Sequence, residues 1–319
     1  MSESKAQYIE FCHSGYVPLQ LQAWWLDAVC TPDNWDIALA FDGGGNVIGI
    51  MPWYQKRRWG CTVVQLPPFS SYAGPWLRYP EEPGFKLQSR YAFEKRAYQQ
   101  LIEKLPRSLF FLQNFRPEIE NWLPFYWKNF KQTTRYTYIL DQTDKPETIT
   151  AGMKNTLRSD LKKAARQVDW HQENESWETV FHLNTLSLGR KSLQQAYRIE
   201  VFNRLHSALA KRGQMACFIA RDRISNQPHA GLYLAFDAQQ AGVLLTGTDP
   251  AFKSSCAIYS LFEAALNYCG TRGLSLDLEG SMQPEIERTF RAFGARQQPY
   301  FQVFKAKNKF FELLYHLSR

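Results

Sequence analysis

Apolar residues recur along this chain at two spacings, one near every third or fourth residue and one every second, and each switch marks an element boundary. In the second half, WETVFHLNTLSLGR and EVFNRLHSALAKRG predict helices. In the latter, Phe202, Leu205 and Leu209 share a face and Gly213 follows as a stop. MACFIARD, PHAGLYLAF and AGVLLTGT predict strands, the last two joined as a hairpin at DAQQ. SCAIYSLFEAALNYCG then places Ile258, Leu261, Phe262, Ala265 and Cys269 on a helical stripe ended by Gly270. A strand LSLDLEG follows, then a helix PEIERTFRAFG with Pro284 at its first position and Ile286, Phe290 and Phe293 inward. PYFQVFK closes the half as a strand.

The first half repeats that order without repeating residues. PLQLQAWWLDAV predicts a helix; WDIALAF and VIGIMPWYQKRRW predict strands around the turn DGGGN. CTVVQLPP is a third strand, residues 85–105 a helix, SLFFLQNF a strand, EIENWLPFYWKNF a helix and RYTYILD a strand. Helix, three strands, helix, strand, helix, strand in both halves predicts two copies of one α/β unit with mixed sheets. The joint DQTDKPET (141–148) is polar and carries a proline, as linkers do. The expected domains are 1–145 and 146–305, with the tail 306–319 returning to the first. In that tail Phe310, Leu313, Leu314 and Leu317 form an apolar stripe.

LSLDLEG stands out because its alternation places Leu274, Leu276 and Leu278 on one face and Asp277 and Glu279 on the other. Two residues along a strand are roughly 6.5–7 Å apart, so one bound amine reaches either carboxylate. The alternative is structural: buried strand acids need partners, and a neighbouring Arg or Lys supplies one.

Composition narrows the field. The chain has 319 residues, 45% hydrophobic and 15% aromatic, enough to build two cores. No stretch approaches the roughly 18 apolar residues of a membrane span, and the start MSESKAQYIE lacks the layout of a secretory signal. A soluble, cytoplasmic protein without integral membrane contact is expected. Six cysteines and six histidines are scattered, with no CxxC, HxxxH or HExxH among them, so no metal site is expected. The formal charge of +8 suits a polyanionic partner or simply a solvated basic surface.

The element order resembles the GNAT acyltransferase fold, and two in tandem resemble the Fem-type peptidoglycan aminoacyltransferases and their acetyltransferase relatives. NTLRSDLKKAARQ (155–167) is similar to the basic segment that opens the family's second domain. TDPAFKSSCAIYSLFEAALNYCGTRGLSLDLEGS, IERTFRAFGA and the strand reaching Phe304 and Lys305 are similar to its core half. The resemblance covers most of the chain and is tightest over about 150–305. It implies attack of an amine on an activated acyl group, from aminoacyl-tRNA or acyl-CoA, without metal or covalent intermediate.

The resemblance also implies roles. Asp277 or Glu279 would handle the amine and Lys305 the developing oxyanion. Arg190, Lys191, Tyr197 and Tyr259 would grip a precursor phosphate, with Lys253 near a donor phosphate. The family's first-domain lysine is absent from LDAVCT, and Lys56, Arg57 and Arg58 are the substitutes on offer. Arg158, Lys162 and Arg166, spaced i, i+4 and i+8, form a stripe suited to a tRNA stem or to water. Enzymes of this superfamily that use CoA cradle its pyrophosphate in a Q/R-x-x-G-x-G/A loop, where glycine lets the backbone close in. Here that stretch reads Phe252-Lys253-Ser254-Ser255-Cys256-Ala257, with only Ala257 agreeing. The expected activity is therefore N-acyl or aminoacyl transfer to an amine, possible acceptors including a peptidoglycan precursor, with aminoacyl-tRNA favoured as donor and no bound cofactor. An acyl-CoA-dependent N-acetyltransferase and a catalytically silent two-domain binding protein remain open alternatives.

Overall fold

The computed structural model describes residues 2–58, 60–81, 85–141, 143, 145–190, 197–280 and 282–317. Contacts divide the chain into one unit of 1–135 with 299–319 and a second of 136–298. In chain order the first unit contains α1 (Glu3–His13), α2 (Ala23–Cys30), β1 (Trp35–Phe41), β2 (Val47–Arg58), β3 (Cys61–Gln65), β4 (Trp76–Leu77), α3 (Leu87–Glu103), β5 (Phe110–Asn114) and α4 (Leu123–Trp127). Strand β6 (Lys131–Leu140) runs across the division. The second unit contains α5 (Pro146–Gly152), α6 (Asn155–Gln167), β7 (Val168–Gln172), α7 (Trp177–Arg190), α8 (Ile199–Ala210), β8 (Met215–Asp222), β9 (Pro228–Phe236), β10 (Gln240–Thr248), α9 (Ala257–Gly270), β11 (Ser275–Asp277) and α10 (Pro284–Ala292). Strand β12 (Arg296–Ala306) crosses back, and α11 (Lys309–Leu317) follows in the first unit.

Within the first unit β1, β2 and β3 pair antiparallel, β3 pairs parallel with β5, and β5 pairs antiparallel with residues 302–306 of β12. The chain's last strand therefore belongs to the first unit, whereas the pattern of elements had assigned it to the second. The reason is register: Gln302 to Ala306 align with Asn114 to Phe110, so Lys305 sits opposite Phe111. The tail differs in another way. Phe310 and Leu313, expected on a buried stripe, are 62% and 56% exposed, and the side chains of Leu314 and Leu317 lie outside the described residues. Glu312 of α11 forms an ion pair with Lys131.

The second unit's sheet runs β6–β11–β10–β9–β8–β7, with β10 and β11 parallel and the other pairs antiparallel. The predicted stripes are the buried ones: Phe202, Leu205 and Leu209 of α8 and Leu261, Ala265 and Cys269 of α9 lose essentially all exposure. Four elements were not read from the pattern, α1, β4, β7 and α5, the last beginning inside the segment expected to be a linker, and the expected 118–130 helix is only the five residues of α4. β7 hides because only Val168 of its five residues is buried, so it shows no alternation. All six cysteines are free.

Helix α7 lies so close to β10 that a Cβ on Gly247 would stand 2.1 Å from the backbone nitrogen of Asn184. The approach lets Asn184 Nδ2 donate to the Thr246 carbonyl at 2.6 Å, and Ser187 Oγ both donate to the Thr248 carbonyl and accept its N–H at 2.8 Å. A methyl group in that contact forces backbone against backbone, with no flexible side chain to yield. Gly247→Ala is expected to cost about 1–3 kcal/mol, or about 2–4 °C of Tm per kcal/mol for a unit of this size. Calorimetric melting checks it, and an unchanged Tm would mean that α7 does not pack this closely.

Candidate functional site

Strands β10 and β11 stay paired for only three residues, Gln240 with Ser275 through Gly242 with Asp277. Strand β10 then continues to Thr248, with a register shift against β9 between Val243 and Leu245. The chain beyond β11 turns to β6 instead: Leu278 N–H donates to the Tyr138 carbonyl at 2.9 Å, and Gly280 N–H to Thr137 Oγ1 at 3.0 Å. The parallel strands thus part at Gly242 and Asp277.

Asp277 locks that parting. Its side chain is 2% exposed, and Oδ1 accepts both the Thr137 hydroxyl and the Glu279 N–H, the latter at 2.8 Å. Thr137 in turn accepts from Gly280 N–H, so one hydroxyl and one carboxylate oxygen tie β6 to the turn after β11. Gly280 is required there, since its Cβ would meet the Tyr136 carbonyl oxygen at 2.2 Å. Asp277 is therefore a turn-holding acceptor, and β11 ends with it. Glu279 lies beyond the strand in left-handed backbone, φ 51°, so strand alternation does not place it. Its carboxylate comes over Gly242, where a Cβ would be 2.9 Å from Oε1, and its side chain is half-buried. Glu279 is the acid beside the parting of the two strands.

Residues 250–255 form a short 3-10 segment leading into α9. Cys256 caps α9 in left-handed backbone, φ 60° and ψ 17°, a conformation that glycine adopts without cost and other residues rarely. Its thiol contacts Asp160 Oδ1 of α6 at 3.6 Å. Burial, then Asp160, push the Cys256 thiol up, and the same two influences push up the Tyr259 hydroxyl. A carboxylate at a helix N-terminus is favoured by the helix dipole. The N-terminus of α9 thus has the Asp160 side chain beside it, with Lys163 also close enough to act on the Cys256 thiol. Ala257 N–H also approaches Ser255 Oγ, at 3.4 Å.

The remaining expected residues are distributed as follows. Lys305 belongs to the first unit, where Nζ donates to the Lys128 carbonyl at 2.8 Å and lies 4.8 Å from the Phe130 ring centroid. Burial, then Lys128, pull its ammonium pKa down. Tyr259 is half-buried beside Phe293, and Lys253 and Tyr197 are exposed. Lys191 lies outside the described residues, as does the side chain of Arg190, the last residue of α7. The basic stripe of α6 is not uniform. Arg158 donates to the Thr150 and Ala151 carbonyls at 2.7 and 3.0 Å, closing the end of α5, while Lys162, Lys163 and Arg166 are exposed. Lys56 and Arg57 are exposed on β2, and the side chain of Arg58 lies outside the described residues. Among the described residues no group of three His, Cys, Asp or Glu is placed to hold a metal ion, and no helix is long and apolar enough to cross a membrane.

Sequence reasoning missed Thr137, Gly242 and Asp160. Only Asp160 carried a signal, as the one acid in a thirteen-residue basic helix.

Residues 151–283 match the family model described as an acetyltransferase (GNAT) domain. No curated protein matches the sequence. Among solved structures the chain is similar to FemX, with 11% identity and a TM-score of 0.67 over 94% of this chain and 96% of that one. It is similar to L-PGS from Bacillus licheniformis, with 11% identity and a TM-score of 0.56 over 100% and 97%. It is also similar to a conserved protein of unknown function from Bacteroides thetaiotaomicron, with 11% identity and a TM-score of 0.55 over 95% and 97%. At such identities the likeness is one of fold, and it extends over nearly the whole of each chain.

The hydrogen bonds from Thr137 and Glu279 to Asp277 end on one oxygen, which an asparagine retains. Asp277→Asn is therefore expected to unfold at nearly the parental denaturant midpoint. Asp277→Ala leaves the Thr137 hydroxyl and the Glu279 N–H without their acceptor and should lose about 2–4 kcal/mol. Equal midpoints for Asp277→Ala and the parent would show that the turn is held by something else.

Proposed function

Taking the chain as a tandem GNAT-fold protein whose second unit carries an acetyltransferase (GNAT) domain, we propose that it is an acyltransferase that moves an activated acyl or aminoacyl group onto an amine, with a donor other than acyl-CoA. The parting of β10 and β11 supports transfer in the second unit. It offers an acyl carbonyl an approach to sheet backbone and sets the Glu279 carboxylate at the same place. The observation that carries the donor reading is Cys256, a non-glycine residue in left-handed backbone with Asp160 beside it. A pyrophosphate brought there meets a carboxylate and a side chain where a CoA cradle has neither. Aminoacyl-tRNA needs no such cradle, and exposed Lys162, Lys163 and Arg166 on α6 offer its phosphates a basic face.

In this reading the amine enters protonated and is held by Glu279, which first takes one proton so that the neutral nitrogen attacks the ester carbonyl. The amide C–N bond forms, the ester C–O bond breaks, and the ribose hydroxyl leaves with a proton. Asp277 is a positioning residue that fixes the turn carrying Glu279. FemX among the structural neighbours favours an amine on a peptidoglycan-precursor peptide as acceptor.

Two measurements test this. Calorimetric titration with acetyl-CoA should show no micromolar binding, while an aminoacyl-tRNA raises the apparent Tm by mass action. Micromolar acetyl-CoA binding would replace this donor with acyl-CoA. Glu279→Gln should lower transfer to amine by about 10²–10⁴-fold at unchanged Tm, and full activity in that variant would remove Glu279 from the chemistry.

A further inference from the structure

The first unit contains a cleft of about 710 Å³ at one end of β3, β5 and β12. Its floor is apolar. Phe111 and Phe130 meet edge to face with ring centroids 5.3 Å apart, both belong to the unit's buried core, and Leu105 packs against that core. Its rim is cationic: Arg107, Lys305 and Lys307 line it, and among the described residues no Asp or Glu does. Lys305 is held in place by the Lys128 carbonyl and lies over the Phe130 ring, so its charge is fixed above the apolar floor. Among the described residues neither Arg107 nor Lys307 forms an ion pair, and both are exposed.

Charges of one sign around a recess with low-dielectric walls focus the field into it and repel one another until an anion arrives. Burial of Lys305 beside Lys128 already disfavours its charged form, a penalty that an anion would relieve. A simple anion leaves Ile102, Leu105 and Pro106, the partly exposed apolar residues of the lining, wet, and a simple hydrocarbon leaves the cations uncompensated. A nucleotide base would need acceptors as well as donors to read its edge, and apart from the three cations the described lining offers Cys61, Thr62 and Ser108. We propose that this cleft binds a single-chain anionic amphiphile, its phosphate or carboxylate head between Arg107, Lys305 and Lys307 and its alkyl chain along the partly exposed Ile102, Leu105 and Pro106, above the buried Phe111 and Phe130. Because the floor is recessed, the occupant is a monomer rather than a membrane face. This site is independent of the transfer chemistry assigned to the second unit.

The test is calorimetric titration of the full chain with octyl phosphate and decyl phosphate as monomers, inorganic phosphate, 1-decanol, and vesicles containing anionic phospholipid. Decyl phosphate should bind at one per chain and tighter than octyl phosphate, by up to about fourfold per methylene. Inorganic phosphate and 1-decanol should each bind at least about tenfold more weakly. The double substitution Arg107→Gln with Lys307→Gln alters two exposed side chains. It should therefore leave Tm unchanged while weakening decyl phosphate at least about tenfold. The proposal is overturned if inorganic phosphate or 1-decanol matches decyl phosphate, if the double variant binds as the parent does, or if only vesicles bind.

Discussion

Beyond Asp277 the backbone of the second unit has partners on β6 that it cannot keep while continuing beside β10. Leu278 and Gly280 donate to Tyr138 and Thr137, and Asp277 holds both Thr137 and the N–H of Glu279. A buried carboxylate is tolerated only when its hydrogen bonds are made, and here making them is what pulls the two parallel strands apart. Much of the site follows from that constraint. Gly242 lacks a side chain where the Glu279 carboxylate comes over it, and Gly280 lacks one where the Tyr136 carbonyl passes. On β10, past the parting, the Thr246 and Thr248 carbonyls are met by Asn184 and Ser187 of α7.

The start of α9 is governed by a different balance. A helix N-terminus attracts anions through its partial positive charge, and in this chain α6 brings Asp160 there. A cysteine at the cap accepts backbone strain that a glycine would avoid, and its thiol approaches Asp160. These features are consistent with each other and with a donor whose phosphates bind elsewhere. The chain's +8 charge is likewise placed in distinct settings. Arg158 closes the end of α5, Lys162 and Arg166 stand in water, and Arg107, Lys305 and Lys307 surround an apolar recess.

Much of the fold was legible because burial imposes periodicity. The stripes of α8 and α9 were readable since each faces a sheet with one side only, which leaves a helical repeat of apolar residues. The hairpin at DGGGN and the stop at Gly213 were readable from local backbone preference. β7, with one buried residue in five, left no repeat to read. At the site, the pairing of two acids in LSLDLEG marked the right turn but not their separate roles. Strand alternation placed them alike, whereas the left-handed backbone at Glu279 ends the strand between them.

What the sequence determined by itself was therefore local and periodic: the order of elements, their inward faces, the missing glycines of the donor loop and the acids of one turn. Those properties depend on neighbours within a few residues, which the chain carries in linear order. Tertiary structure decided what depends on partners distant in sequence. It gave the last strand to the first unit by its register with β5, paired Asp277 with Thr137 across 140 positions, set Asp160 beside Cys256 across 96, and brought Lys305 over Phe130. No short-range pattern encodes such pairs, because hydrogen bonding and desolvation reward a contact only once the intervening chain has folded to bring its two sides together.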